Sequence, residues 1–301
     1  MRLRHLRYFL EVAREKSFIR AASRVNIEAS PLSRAIKELE AQLGVQLLYR
    51  AKGRIQLTWA GEVFQKEARR ILEFVESAQA RVRSAAQGYR GQLRIGLSDG
   101  LAQPNLTRLL ARSREEEPRT EIRIVEMSFN EMLKAIKLDQ LDAGFTIDND
   151  VGDGCFTTPV WVEQPAFAIP ARHPILAFDR IPLSEAIRYP LIMCHPERCA
   201  SGHKTIQRWL RDAQQDDPII AQHVSSHEPM MMLVAAGYGI GIGLATQISL
   251  FNHPDVISRP ILNEGLQVTT FVATSNQRQV SQELERFTKR AQEIGGLFAA
   301  D

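Results

Sequence analysis

Cysteine is scarce in this chain: of 301 residues only three, Cys155, Cys194 and Cys199, carry a thiol. Three thiols cannot build a disulfide framework, which points to a reducing compartment. Long apolar runs are missing as well. No stretch approaches the ~20 residues that a helix needs to span a bilayer. The opening run MRLRHLRYFLEVARE is interrupted by charge at once and has no signal-like apolar segment. Both absences predict a cytoplasmic protein without a membrane partner. The sequence also lacks G-x-S-x-G, a Walker loop and H-E-x-x-H. It therefore offers no enzyme motif, no catalytic residue and no cofactor signature. What remains is ordinary globular composition, with 44% apolar and 24% charged residues, which excludes disordered and fibrous classes.

A chain of this length divides more naturally into a small and a larger domain than into one globule. Its net charge is only +3, but the charge is unevenly spread. Residues 1–58 hold 12 Lys or Arg against 5 Asp or Glu, and the rest hold 26 against 30. A basic head on a mildly acidic body suggests that the head meets a polyanion.

The stretch Ser17–Thr58 organises that head. Phe18, Ala21, Ala22 and Val25, then Leu32, Ile36, Leu39 and Leu43, recur at helical spacing around a polar break at Asn26–Ser30. Two short helices with a tight break form a helix-turn-helix, whose second helix reads the DNA major groove. A helix over 3–14 should pack beneath through Leu3, Leu6, Phe9, Leu10 and Ala13. Ser17 is placed to cap the second helix, Pro31 suits the first turn of the third, and Gly44 stops it. Inward Leu32, Ile36, Leu39 and Leu43 leave Ser33, Arg34 and Lys37 facing out, with Ser30 at the helix start. Arginine can grip guanine bidentately, while serine and lysine hold phosphates or bases. Leu47, Leu48, Ile55 and Leu57 flank a basic turn containing Arg50, Lys52, Gly53 and Arg54, a pattern that suits a two-stranded wing.

The pieces A-A-S-R-V, P-L-S-R-A-I-K-E-L-E, L-G-V-Q-L-L-Y-R and L-T-W-A-G, in this order and spacing, resemble the N-terminal signature of the LysR-type transcriptional regulators. The likeness continues more weakly in LRIG, L-D-Q-L-D-A-G-F and H-P-I. It implies an α+β multidomain protein. A winged helix-turn-helix over 1–58 would precede a linker helix over 59–89. A two-lobed α/β effector domain of the periplasmic-binding-protein type would follow over 90–301. Lobe I would comprise 90–164 and 266–301, and lobe II 165–265. The partners implied are operator DNA, a small-molecule effector, a second copy joined through the linker helix, a homotetramer built from such dimers, and RNA polymerase. One departure concerns the reader helix. Most members open it with Ser-Gln-Pro, whereas Glu28, Ala29 and Ser30 stand there in this chain, so no operator sequence carries over.

From Trp59 to about Gly88 the pattern is one long helix. Phe64, Ile71, Ala78 and Ala85 repeat every seven residues, with Ala68, Val75 and Val82 between them. That a/d seam over about three heptads suggests a coiled coil. The dimerisation residues expected are Phe64, Ala68, Ile71, Val75, Ala78 and Val82; packing against the chain's own body is the alternative.

Beyond Gly91, strands and helices alternate, which predicts a mainly parallel sheet. Ligands of such sheets bind at the carboxyl ends of strands and at helix N-termini. The loops so selected carry Ser98, Asp99 and Gly100; Ser128 and Phe129; Thr146; Ser201 and His203; and Ser226 and His227. Free N–H groups there would favour an anionic effector, whereas each serine taken singly could be a helix cap. His195, Cys199 and His203 are spaced by four, but Pro196 and Gly202 suggest a loop, and no metal is assigned. Cys199 falls where peroxide-sensing relatives carry a reactive cysteine, without the second cysteine of that pair. The run Gly237–Gly243 is not a dinucleotide fingerprint, because a helix precedes it and a strand follows. Its glycines are expected to be a helix stop and a tight turn. A regulator that senses a small molecule thus stands against an enzyme with a DNA-binding head and a transport binding protein.

Overall fold

A computed structural model of the chain describes residues 1–51, 54–98, 104–213, 218–262, 265–277 and 279–296, with only the backbone of Arg50, Ala51, Arg54 and Arg81. The chain divides into two units, Met1–Arg83 and Ser84–Asp301. The first contains α1 (Leu3–Glu15), α2 (Phe18–Arg24), α3 (Ala29–Leu43), the antiparallel pair β1 (Leu48–Ala51) and β2 (Arg54–Leu57), and most of α4 (Trp59–Ala86). Local chemistry sets these boundaries. Ser17 Oγ accepts the Arg20 N–H at the start of α2, and Gly44 ends α3 with a φ of 71°, a conformation only glycine adopts freely.

Leu32, Ile36 and Leu39 are fully buried against Phe9, Val12, Ala21 and Ala22. Two expected inward residues differ. Leu43 lies in the last turn of α3 and stays 38% exposed, and Leu3 is 42% exposed. The buried face of α1 runs through His5, Leu6, Phe9, Val12 and Ala13, leaving Leu10 only partly covered. A histidine completes this face, so an apolar-only pattern missed it. Neither nitrogen of His5 has a hydrogen-bond partner among the described residues, and burial lowers its pKa.

The wing is tied to the reader helix from within. Glu40 Oε1 accepts the N–H groups of Leu47 and Leu48 at 2.9 and 3.1 Å. Thr58 Oγ1 donates to the Gln46 carbonyl at 2.7 Å and accepts the Gly61 N–H at 2.9 Å. A Cβ on Gly61 would stand 2.1 Å from the Leu47 carbonyl oxygen. The run L-T-W-A-G thus combines a helix cap with a site of close backbone approach.

In the second unit, β3 (Gly91–Leu97), α5 (Pro104–Glu116), β4 (Thr120–Glu126), α6 (Phe129–Lys137), β5 (Ala143–Thr146) and β6 (Cys155–Glu163) begin one lobe. The second lobe follows with β7 (Pro165–Pro170), α7 (Leu183–Ala186), β8 (Leu191–Cys194), α8 (Ala200–Asp212), β9 (Ile220–Val224), α9 (His227–Ala235), β10 (Ile240–Leu244), α10 (Ala245–Phe251) and β11 (Val256–Pro260). The chain then returns to the first lobe as β12 (Val268–Ser275) and α11 (Gln282–Ile294). The sheet orders are β4-β3-β5-β12-β6 and β11-β7-β10-β8-β9.

Each sheet is mixed rather than mainly parallel, with two parallel and two antiparallel pairings. The cause is the crossing between lobes. Gln164 alone separates β6 from β7, and every antiparallel pairing of these two sheets involves β7 or β12, the strands that enter a lobe from the other one. Phe145 stacks on Trp161 at 5.3 Å, and Phe287 meets Phe145 edge-on at 6.2 Å, so α11 closes the first lobe. Arg290, 5% exposed, fastens α11 to α5. It donates to Glu116 Oε2 at 2.6 Å, Ser113 Oγ at 3.0 Å and Glu117 Oε1 at 3.3 Å. At the start of the unit, Ser84 Oγ and Gln92 Nε2 both donate to Glu121 Oε2, at 2.6 and 2.9 Å.

Candidate functional site

On α3, Ser30, Ser33, Arg34 and Lys37 recur at i, i+3, i+4 and i+7, which places them on one face. Ser30, Arg34 and Lys37 are exposed and Ser33 is half-buried. Among the described residues no ion pair holds Arg34 or Lys37, so their charges remain available to an anion. Other basic residues of the head are engaged: Arg14, Arg20 and Arg24 gather around Glu15 within 3.3–3.9 Å. Arg50 and Arg54 lie on the two wing strands, opposite Ile55 and Ala51 in the ladder; their side chains, with Lys52 and Gly53, fall outside the described residues.

The seam of α4 divides into two parts. Phe64 packs edge-to-face on Phe9 at 5.0 Å, and Ala68 is fully buried, so these two positions are covered within the chain rather than open to a partner. Further along, Ile71 is 36% and Val82 71% exposed, while Val75 and Ala78 are half-buried. Phe74, 58% exposed and on the same side, was not part of the seam read from the sequence. It breaks the strict a/d register but falls three residues after Ile71 and eight before Val82.

The loops of the second unit have more varied roles than ligand contact. Ser98 is fully buried, and its hydroxyl donates to the Phe145 carbonyl at 3.1 Å. It thereby joins β3 to β5, rather than pointing freely between the lobes. Asp99 and Gly100 lie outside the described residues. Ser128 forms a capping box with Glu131: its N–H and Oγ both reach Glu131 Oε2, at 3.1 and 2.7 Å. Phe129 belongs to the apolar core beneath α6. Thr146 is fully buried and its Oγ1 accepts the Asp148 N–H at 3.0 Å.

Ser201, Gly202 and His203 sit in the first turn of α8, where a loop was expected. Gly202 is there for contact, not flexibility: a Cβ would lie 2.9 Å from Cys194 Sγ. Ser201 is buried, and His203 Nδ1 sits 2.9 Å from the Cys194 carbonyl oxygen. His195 Nδ1 accepts the N–H groups of Glu197 and Arg198, at 3.1 and 3.3 Å. No group of three His, Cys, Asp or Glu able to hold a metal occurs among the described residues. Cys199 is buried, and its thiol donates to the Ser225 carbonyl at 3.3 Å. Ser226 precedes α9 without a side-chain cap bond.

A cavity of about 450 Å³, its open mouth included, brings distant parts of the sequence together. Ile147 follows β5; Cys194 ends β8; Gly202, Thr205, Ile206 and Trp209 come from α8; His227 opens α9; Ile242, Gly243 and Leu244 belong to β10; Gln247 and Val268 complete it. Residues from both sheets therefore line it. Of the eight expected effector residues that are described, His227 alone lines it. Trp209, Thr205, Gln247 and Val268 were missed because nothing local marks them. Burial drives the His227 pKa down to about 4, so its imidazole is neutral at pH 7. The glycines of β10 make room for this helix. A Cβ on Gly241 would lie 2.9 Å from Met230 Cγ, and one on Gly243 3.3 Å from His227 Nε2. Only Gly237, with a φ of 79°, is the expected helix stop; the later glycines serve close packing rather than a tight turn.

At the edge of this cavity a charged contact links the two lobes. Lys204 Nζ, beside Thr205, reaches Asp148 Oδ2 at 3.1 Å and Asp150 Oδ2 at 3.6 Å, next to Ile147. The pairing raises the Lys204 pKa, chiefly through the hydrogen bond to Asp148.

Comparison with known proteins agrees with these two parts. Residues 3–62 match the family model described as bacterial regulatory helix-turn-helix protein, lysR family, and residues 86–294 match the LysR substrate binding domain. The uncharacterized HTH-type transcriptional regulator YnfL of Escherichia coli (strain K12) is 34% identical over 80% of this chain and 81% of its own. The HTH-type transcriptional regulator XapR of the same organism is 30% identical over 86% of this chain and 87% of its own. Full-length CbnR complexed with its target DNA shares the fold, with a TM-score of 0.77 at 24% identity over 98% of this chain and all of that one.

Proposed function

The chain belongs to the LysR family of bacterial regulatory helix-turn-helix proteins, a DNA-binding transcriptional regulator with an effector-binding domain, and we propose how its residues divide that work. Helix α3 is the DNA reader. Arg34 contacts a base edge, while Ser30, Ser33 and Lys37 hold phosphates or neighbouring bases, and Arg50 and Arg54 of the wing add phosphate contacts. The observation that carries this reading is the exposed set Ser30, Arg34 and Lys37 on one face of α3, whose two cations are held by no ion pair among the described residues. Two copies pair through α4 from Ile71 to Val82, which brings two reader helices to one operator, and such dimers assemble further into a tetramer. The cavity between the two sheets receives the effector. A ligand that binds one lobe arrangement better than another shifts the balance between them by that difference in affinity. The regulator acts in the cytoplasm, where its free cysteines stay reduced, and RNA polymerase is its final partner. Among the described residues no helix is long and apolar enough to cross a membrane.

The test is operator retardation at fixed salt. Arg34→Ala should lose roughly 1–3 kcal/mol of specific affinity, and Lys37→Ala should weaken all sequences alike and flatten the salt dependence by about one phosphate contact. Unchanged operator binding by Arg34→Ala would remove Arg34 from the reader role.

A further inference from the structure

The cavity between the lobes is poorly suited to the anion that the helix N-termini suggest. Its described lining is mostly hydrocarbon: Ile147, Ile206, Trp209, Ile242, Leu244 and Val268. The polar groups are few and uncharged, namely Thr205, Cys194, Gln247 and a neutral His227. No Lys or Arg occurs among the described residues that line it. The cation that borders it in sequence, Lys204, is already engaged by Asp148 and Asp150.

A second observation bears on the same space. Glu163 stands directly across the β6–β12 ladder from Val268, which lines the cavity. Directly opposed residues of an antiparallel pair share a face. Glu163 is 6% exposed; its Oε1 accepts the hydroxyl of Thr246, the neighbour of Gln247. Its Oε2 has no hydrogen-bond partner among the described residues, and burial raises the Glu163 pKa, so the region beside Val268 disfavours negative charge. A carboxylate brought into this cavity would find no counter-ion among the described lining residues. Burying an ion unpaired is far more costly than burying a neutral polar group that finds a hydrogen bond. A neutral donor would meet acceptors instead: the imidazole of His227 and the hydroxyl of Thr205.

We infer that the effector of this regulator is an uncharged, largely hydrocarbon molecule carrying a hydrogen-bond donor directed at His227. The inference rests on the cavity being the effector site.

Benzamide and benzoate share a shape and differ in charge, so they separate the two requirements. Binding of each to the full chain would be measured by calorimetry at pH 7.5. The same titrations would use Val268→Phe, which fills the cavity, with circular dichroism as the check on folding. The resonances of the His227 ring, assigned by their loss in His227→Gln, would locate the ligand independently of that variant. The expected result is that benzamide binds at least about tenfold more tightly than benzoate, as the cost of an unpaired buried charge implies. Benzamide should also move the His227 resonances and lose affinity in Val268→Phe. Benzoate binding as tightly as benzamide, with the same His227 shifts, would overturn the uncharged class and leave the cavity as the effector site. Binding of neither probe, or binding that leaves His227 and Val268→Phe unaffected, would overturn the cavity itself and the inference with it.

Discussion

Acid should weaken the second unit through one histidine. Burial holds the His227 pKa at about 4, against the ordinary 6.5. Below pH 6.5 the unfolded chain therefore takes up a proton that the folded chain refuses, and stability falls as pH drops through that window. Linkage gives the size: between pH 7.5 and 5.0 this one group removes about 2 kcal/mol of folding free energy. His173 and His223 lie in the same unit with pKa values lowered chiefly by burial, so they act in the same direction. The wild type alone therefore cannot assign the loss. His227→Gln keeps a hydrogen-bonding side chain without a titrating ring, and comparison with it isolates the His227 contribution. The assay is urea unfolding at pH 7.5 and 5.0, followed by the fluorescence of Trp161 and Trp209, both buried in this unit. The wild type should lose about 2 kcal/mol more than the variant across that interval. Equal losses within about 0.5 kcal/mol, or a His227 resonance titrating near pH 6.5, would show that the imidazole is hydrated and that the cavity gains charge in mild acid.

Three further outcomes follow from the packing. Ile71→Lys and Val75→Glu each put a charge into the open part of the α4 seam, where burial of an unpaired charge is costly; both should dissociate dimers in sedimentation and weaken binding to a two-half-site operator. Gly61→Ala sets a Cβ against the Leu47 carbonyl oxygen, 2.1 Å away before any relaxation. It should destabilise the DNA-binding head by roughly 1–3 kcal/mol in thermal unfolding despite the better helix propensity of alanine. Arg290→Ala removes the buried link between α11 and α5, but Glu116 keeps Arg112 and Glu117 keeps Arg286, so it should cost about 1.5–3 kcal/mol, the range for hydrogen bonds to charged groups; Arg290→Met, which refills the space, should recover part of that loss in the same unfolding experiment.

Much of this protein was determined by sequence alone because its signals are local. The helix-turn-helix rests on apolar residues a few positions apart, on Ser17 as a cap and on Gly44 as a stop, each of which acts on backbone within one turn. The outward face of α3 follows from the same periodicity, and so does the partly exposed stretch of seam from Ile71 to Val82. The two-lobed plan came from the family likeness; the alternation of strands and helices gave only alternating α/β elements, and the mainly parallel sheet read from it proved mixed. Tertiary structure decided what depends on residues far apart in the chain. Phe64 looked like a dimer residue until Phe9 was placed against it. Ser98 looked like a ligand contact until its hydroxyl met the Phe145 carbonyl. The spare glycines of β10 and α8 resembled turn and loop residues, yet they admit Met230, His227 and Cys194 from neighbouring elements. The cavity joins Ile147, Trp209, His227, Gln247 and Val268. Their polarity as a group, and the neutral state that burial imposes on His227, exist only once the two sheets face one another.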